Sequence, residues 1–93
     1  MKNSPKITNE EKEKIISEIK KVFNNNQLDI IVDDLHCIAI TEENNSNKTY
    51  MCYLDIMIKK NDKIYKFNVE NDSIIDPVQI AETVKQDSIG RKI

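Results

Sequence analysis

Glycine is almost absent from this chain, since Gly90 is the single glycine among 93 residues. Walker-type phosphate loops and dinucleotide fingerprints need several glycines, because the backbone must approach the phosphates closely. The common nucleotide-binding motifs are therefore excluded.

Residues that often carry catalysis or bind transition metals are also scarce: one histidine, His36, and two cysteines, Cys37 and Cys52. A structural zinc site needs four ligands, which this set does not supply. Neighbours on a strand point to opposite faces, so His36 and Cys37 make a poor base and nucleophile, and Cys52 is the better geometric partner for either. We therefore predict a non-enzymatic protein with no catalytic residues, no metal and no cofactor, and cysteines that act as small buried hydrophobes.

Long apolar runs are missing, as is an apolar leader near the start, and we therefore expect a cytoplasmic protein with reduced thiols. Aromatic residues make up only 5% of the chain and tryptophan is absent, so the core must consist mainly of Ile, Leu and Val. With 39% hydrophobic and 32% charged residues, the composition is that of a globular protein. The length suits one domain, which we place at residues 8–93 behind a flexible tail of residues 1–7.

Neither sign of charge dominates, because 14 basic residues face 16 acidic ones for a net charge of −2. This balance argues against nucleic acid as the main partner, since nucleic-acid-binding domains are usually clearly basic. The charges are nevertheless grouped. Segments 29–43 and 70–87 are strongly acidic. Between them lies the stretch Tyr53–Val69, which carries four lysines: Lys59, Lys60, Lys63 and Lys66.

Helix signals stand at both ends of the chain. Thr8 and Glu11 form a capping box ahead of an apolar stripe at helical spacing, and three asparagines at 24–26 end that helix. Asp76 is a suitable N-cap for a second helix, with Pro77 at its first position. We expect Gly90 to close this helix as a left-handed C′ residue.

Strand signals fill the middle of the chain. In Tyr53–Val69, a turn at Asn61-Asp62 pairs residues whose numbers sum to 123: Ile58 with Tyr65, Ile56 with Phe67 and Leu54 with Val69. Period-2 alternation puts these six on one face and leaves the other face mixed. Upstream, Leu28–Val32 and Leu35–Thr41 are also strand-like, and Asp33-Asp34 either bulges one long strand or separates two. A polar loop, residues 42–48, follows.

These elements predict an α+β fold of order α-β-β-β-α, in which two helices pack on a three-stranded antiparallel meander. The double-stranded-RNA-binding domain has this order, but its second helix opens with lysines where this chain has Asp76-Pro77-Val78-Gln79. Size, acidity and element order resemble those of several small phage anti-CRISPR proteins, without a shared motif. The predicted core is Ile15, Ile19, Val22, Phe23, Ile38, Ile40, Leu54, Ile56, Ile58, Tyr65, Phe67, Val69, Ile80 and Val84.

The leading functional hypothesis is a protein-binding module, most concretely an inhibitor of a host protein encoded by a phage or mobile element. It would use its acidic segments and the outer sheet face, because methionine and tyrosine amid charge are typical of interfaces. The candidate residues are Asp33, Asp34, Glu42, Glu43, Met51, Tyr53, Met57, Lys59, Ile64, Lys66, Glu70 and Asp72.

Other interpretations of the same residues stay open. Lys59, Lys60, Lys63 and Lys66, with Tyr53 and Tyr65, would be the contacts of a nucleic-acid-binding hairpin. The chain could instead form a homodimer through outer sheet faces or edge strands. The simplest interpretation is a solvent-facing sheet surface whose lysines oppose aggregation.

Overall fold

A computed structural model describes residues 6–41, 48–71, 75–91 and 93. Its elements follow the order α1 (Asn9–Phe23), β1 (Asp29–Thr41), β2 (Lys48–Lys60), β3 (Lys63–Asn71) and α2 (Pro77–Ser88), with a 3₁₀ turn at Ile89–Arg91. The strands form one antiparallel sheet of order β1-β2-β3. The predicted α+β fold is confirmed. Most of the expected tail, residues 1–5, lies outside the described residues, and Ile7 packs against the core.

Helix α1 begins where the capping box predicts. The Thr8 hydroxyl accepts a hydrogen bond from the Glu11 amide, and the Glu11 carboxylate accepts one from the Thr8 amide. The helix ends at Asn24, whose φ of 50° is the left-handed conformation that asparagine tolerates. Two residues of its apolar stripe, Ile15 and Ile19, lie about one turn apart and are fully buried.

The β2-β3 hairpin has the register that alternation predicts. Ile58 pairs with Tyr65, Ile56 with Phe67, and Lys60 with Lys63 across the turn. Asn61 and Asp62 both have positive φ, as a two-residue type I′ turn requires. Four inward residues of β2 are completely buried: Cys52, Leu54, Ile56 and Ile58.

Strand β1 is one long strand with a bulge. Val32 pairs with Ile56 and Leu35 with Leu54, so Asp33 and Asp34 together oppose a single residue of β2. The extra residue reverses the alternation of faces beyond it. Even-numbered residues face the core before the bulge, and odd-numbered residues do so after it.

This reversal makes two predicted core positions wrong. Ile38 is 60% exposed and Ile40 is 39% exposed, because both follow the bulge and lie on the outer face. The first half of β1 and the residue before it supply core residues that the predicted set lacked. Ile30 and Val32 of β1 are buried, as is Leu28 just ahead of the strand.

Both helices lie on the same side of the sheet. Their inward residues, including Ile15, Ile19, Ile80 and Val84, form one buried cluster with the inward residues of all three strands. Val22, Phe23 and Tyr65 lie half-buried at its margin. No helix among the described residues is long and apolar enough to cross a membrane.

Two local expectations are corrected. Cys37 and Cys52 are not separate thiols: they oppose each other directly across β1 and β2 and form a disulfide. Gly90 does not close α2 in a left-handed conformation, because its φ is not positive and the chain continues into the 3₁₀ turn. The Asp76 cap is confirmed, since its carboxylate accepts a hydrogen bond from the Gln79 amide.

Candidate binding surface

The outer sheet face is the surface that the helices leave uncovered. Its residues follow from the register, in rows that run from β1 across β2 to β3. One row joins Ile31, Met57 and Lys66, and the next row toward the β2-β3 turn joins Asp29, Lys59 and Ile64. Beyond the bulge, His36 lies beside Tyr53 and Glu70, and Ile38 lies beside Met51.

Apolar side chains occupy both ends of this face. Ile31 is 49% exposed and Ile64 is 59% exposed near the hairpin end, while Ile38 and Ile40 are exposed at the other end. Met51, Tyr53 and Met57 lie on the central strand, half-buried between these neighbours. Isolated exposed isoleucines are ordinary on a soluble protein, but several on one sheet face form a patch.

A polar waist separates the two apolar ends. It holds the bulge and the pair Asp55–Asn68, in which the side-chain Nδ2 of Asn68 donates a 2.8 Å hydrogen bond to the Asp55 carboxylate. A shallow groove of about 450 Å³ crosses it toward the β3 edge, between Asp33, Met57 and Arg91. The waist is thus the place where a docking partner would meet carboxylates.

One carboxylate of the bulge, that of Asp34, forms an ion pair with helix α1. The Lys12 ammonium of α1 lies 2.6 Å from an Asp34 carboxylate oxygen. Hydrogen bonding and charge attraction from Lys12 lower the pKa of Asp34 below its usual value. Because Asp34 itself is exposed, it still presents negative charge to solvent.

The structure brings together most of the predicted contact residues. Met51, Tyr53, Met57, Lys59, Ile64, Lys66 and Glu70 share the outer face. Asp33 and Asp34 lie at its margin in the bulge. Glu42, Glu43 and Asp72 fall outside the described residues.

Ile31, Ile38 and Ile40 are the surface residues that the predicted contact set missed. Recognition of the paired aspartates as a bulge would have placed Ile38 and Ile40 outside. Ile31 would have followed from the same strand assignment, because it alternates with the buried Ile30 and Val32.

The four hairpin lysines do not share a face. Lys59 and Lys66 lie on the outer face, whereas Lys60 and Lys63 pair in a row that alternation puts on the helix side. Tyr53 and Tyr65 are divided in the same way. A nucleic-acid strand on either side would therefore meet only two of the lysines.

The described residues hold no group of three or more His, Cys, Asp or Glu side chains that could bind a metal ion. The single histidine, His36, lies beside Tyr53 on the outer face and opposite in direction to Cys37. What the described residues of this surface present is exposed apolar side chains beside charged ones.

Comparisons with protein-family models, with curated proteins and with solved structures find no match to this chain.

Proposed function

We propose that this chain is a non-enzymatic module that binds a partner protein on the outer face of its sheet. The observation that carries the proposal is the asymmetry of the two sheet faces. The helices α1 and α2 pack on one face. The other face exposes isoleucines at both ends, with half-buried methionine and tyrosine between them. Exposed apolar patches with a polar surround are typical of protein interaction sites.

The charges of the face define the partner's chemistry. Asp33, Asp55 and Glu70 lie at or near the waist, so the complementary surface carries Lys or Arg there, between two apolar areas. Such complementarity mainly raises the association rate and the specificity. Binding of this kind weakens as salt rises.

The most specific form of the proposal is an inhibitor encoded by a phage or mobile element and acting in the cytoplasm. It would set the acidic margin of β1 against a cationic groove of a host enzyme. Its support is the position of Asp29, Asp33 and Asp34 on an edge strand, together with a composition rich in Ile, Lys and Asn. The codons of these three residues are A/T-rich, which favours an A/T-rich genome such as that of a low-GC bacterium or its phages and plasmids. The Cys37–Cys52 disulfide counts against this location, because disulfides are rare in the cytosol. Thiol trapping in the host cell tests it: the cytoplasmic proposal requires largely reduced cysteines, and an intact disulfide would contradict it.

Face-selective photocrosslinking tests the proposal. A photoreactive amino acid replaces Ile31 or Ile38 on the outer face, or Val78, which is similarly exposed on α2, as the matched control. We expect one protein to be crosslinked at Ile31 and Ile38 but not at Val78. Ile31→Glu in the Ile38-labelled chain should abolish that product.

Three outcomes would contradict the proposal: equal crosslinking at Val78, no crosslinking at any position, or a product that survives Ile31→Glu. A crosslink only to a second copy of the chain would replace it with the homodimer. A mobility shift of single- or double-stranded probes at low salt would support the nucleic-acid alternative instead, and that shift should fall steeply with salt.

A further inference from the structure

A second surface lies away from the outer face, along the free edge of β3. A groove of about 450 Å³ runs between this edge strand and α2. Phe67, Asn68 and Val69 line its strand side, and Thr83, Gln86 and Asp87 line its helix side. A groove between an edge strand and a helix is the setting in which an extended peptide can be added to a sheet.

The direction of the backbone groups at this edge can be read from one contact. The Arg91 guanidinium donates a hydrogen bond to the Lys66 carbonyl, which therefore points away from β2. In an antiparallel ladder, backbone groups point to the same side at every second residue. The backbone N–H and C=O groups of Asn68 and Glu70 consequently also point away from β2, outward from the sheet edge. No described residue hydrogen-bonds to these backbone groups.

Arg91 blocks one end of this edge. Besides bonding to Lys66, its guanidinium lies 4.6 Å from the centre of the Phe67 ring and 3.4 Å from an Asp87 carboxylate oxygen. The edge available for pairing thus begins after Lys66, next to two cationic side chains. Its other end carries the Glu70 carboxylate.

We propose that the β3 edge and α2 form a docking groove for an extended peptide that pairs antiparallel to β3. Hydrogen bonds to Asn68 and Glu70 hold its backbone. Its amino-terminal, basic end lies near Glu70, and its carboxylate or acidic end lies near Lys66 and Arg91. In the antiparallel direction, each charged end of the peptide lies beside side chains of opposite charge. A parallel peptide would place its ends beside side chains of like charge.

Peptide display tests this groove without reference to the partner of the outer face. A library of random octapeptides with free carboxyl ends is selected on the full chain, and an enriched peptide is synthesised with a fluorescent label for anisotropy titration. We expect enriched sequences with a basic residue near the amino end. In NMR spectra, the amide signals of Asn68 and Glu70 should shift on binding.

Two variants and their matched controls define the result. Asn68→Pro removes the outward N–H from an edge where proline is tolerated, and should weaken binding at least about tenfold. Asn68→Ala, which loses the side chain but keeps that N–H, should weaken binding much less than Asn68→Pro. Thr83→Trp fills the groove from the helix and should also weaken binding, whereas Glu82→Trp, one residue away and outside the lining, should not. Circular dichroism establishes that each variant is folded.

Failure of this inference is distinguishable from failure of the proposed function. No enriched peptide, or affinity unchanged in folded Asn68→Pro and Thr83→Trp, overturns the groove. Peptides that shift only the amides of Tyr53 and Met57 also overturn it, although they would support docking on the outer face.

Discussion

Asp34 shows how a single residue joins the sheet to a helix. Its carboxylate belongs to the β1 bulge, and its ion-pair partner, Lys12, belongs to α1. Its pKa is lowered in the folded protein, so its contribution to stability is present at neutral pH and is lost as pH falls through that lowered pKa. We predict that Lys12→Met raises the pKa of Asp34 toward its usual value, as carboxyl ¹³C shifts in an NMR titration would show. Lys14→Met is the control, and an unchanged Asp34 midpoint in Lys12→Met would contradict the assignment.

Asp62 has a left-handed backbone conformation, which favours glycine over aspartate. Its φ of 65° follows the 51° of Asn61 in the hairpin turn. Asn-Gly is preferred over Asn-Asp in a type I′ turn, because glycine adopts positive φ without a Cβ clash. We predict that Asp62→Gly raises the free energy of unfolding by about 0.5–1 kcal/mol in urea denaturation. Lys63→Gly is the control. Lys63 is the first residue of β3, and glycine there should lower the free energy of unfolding by about 0.5–1 kcal/mol.

Among the described residues, the β1-β2 pair extends beyond the third strand. The described part of β3 ends at Asn71, which pairs with Cys52, and beyond that row Ile38–Thr41 pairs with Lys48–Met51. Two-stranded pairs are marginal in water on their own. The Cys37–Cys52 disulfide lies at the base of this extension and covalently holds its two strands together.

We therefore predict that reduction with dithiothreitol loosens the extension more than the rest of the sheet. Amide exchange should accelerate at residues 38–41 and 48–51 while staying slow at Ile56 and Ile58. Because the cysteines are 15 positions apart in the sequence, the free energy of unfolding should fall by about 3 kcal/mol on reduction. A Cys37→Ala/Cys52→Ala double variant should not respond to the reductant. Uniform exchange across the sheet after reduction would show that the disulfide has no local role.

The elements also show why some of the fold was predictable from the sequence. The β2-β3 register followed from alternating Leu54, Ile56 and Ile58, because a slip by one residue would expose all of them. The two helix starts followed from capping side chains that act within a few residues. The bulge did not follow, since two exposed aspartates fit a loop as well as a strand. Ile38 and Ile40 were consequently assigned to the wrong face.

At the scale of the whole molecule, the question is whether the outer face is open in solution or covered by a second copy. Two adjacent residues of β1 provide a matched pair for this question. Ile30 is 7% exposed and faces the helices, whereas Ile31 is 49% exposed on the outer face. Both residues are isoleucines on the same strand, and they are adjacent in sequence. They therefore differ mainly in the sheet face on which they lie.

We predict that Ile30→Glu lowers the free energy of unfolding by more than about 3 kcal/mol, because it buries an unpaired charge in the core. Ile31→Glu should change it by less than about 0.5 kcal/mol, since a half-exposed glutamate keeps its water. Denaturation at two protein concentrations, with light scattering, measures both variants. If Ile31→Glu also destabilised strongly, and the wild-type stability rose with concentration, a second copy would cover this face, and the homodimer would replace the binding of a different protein.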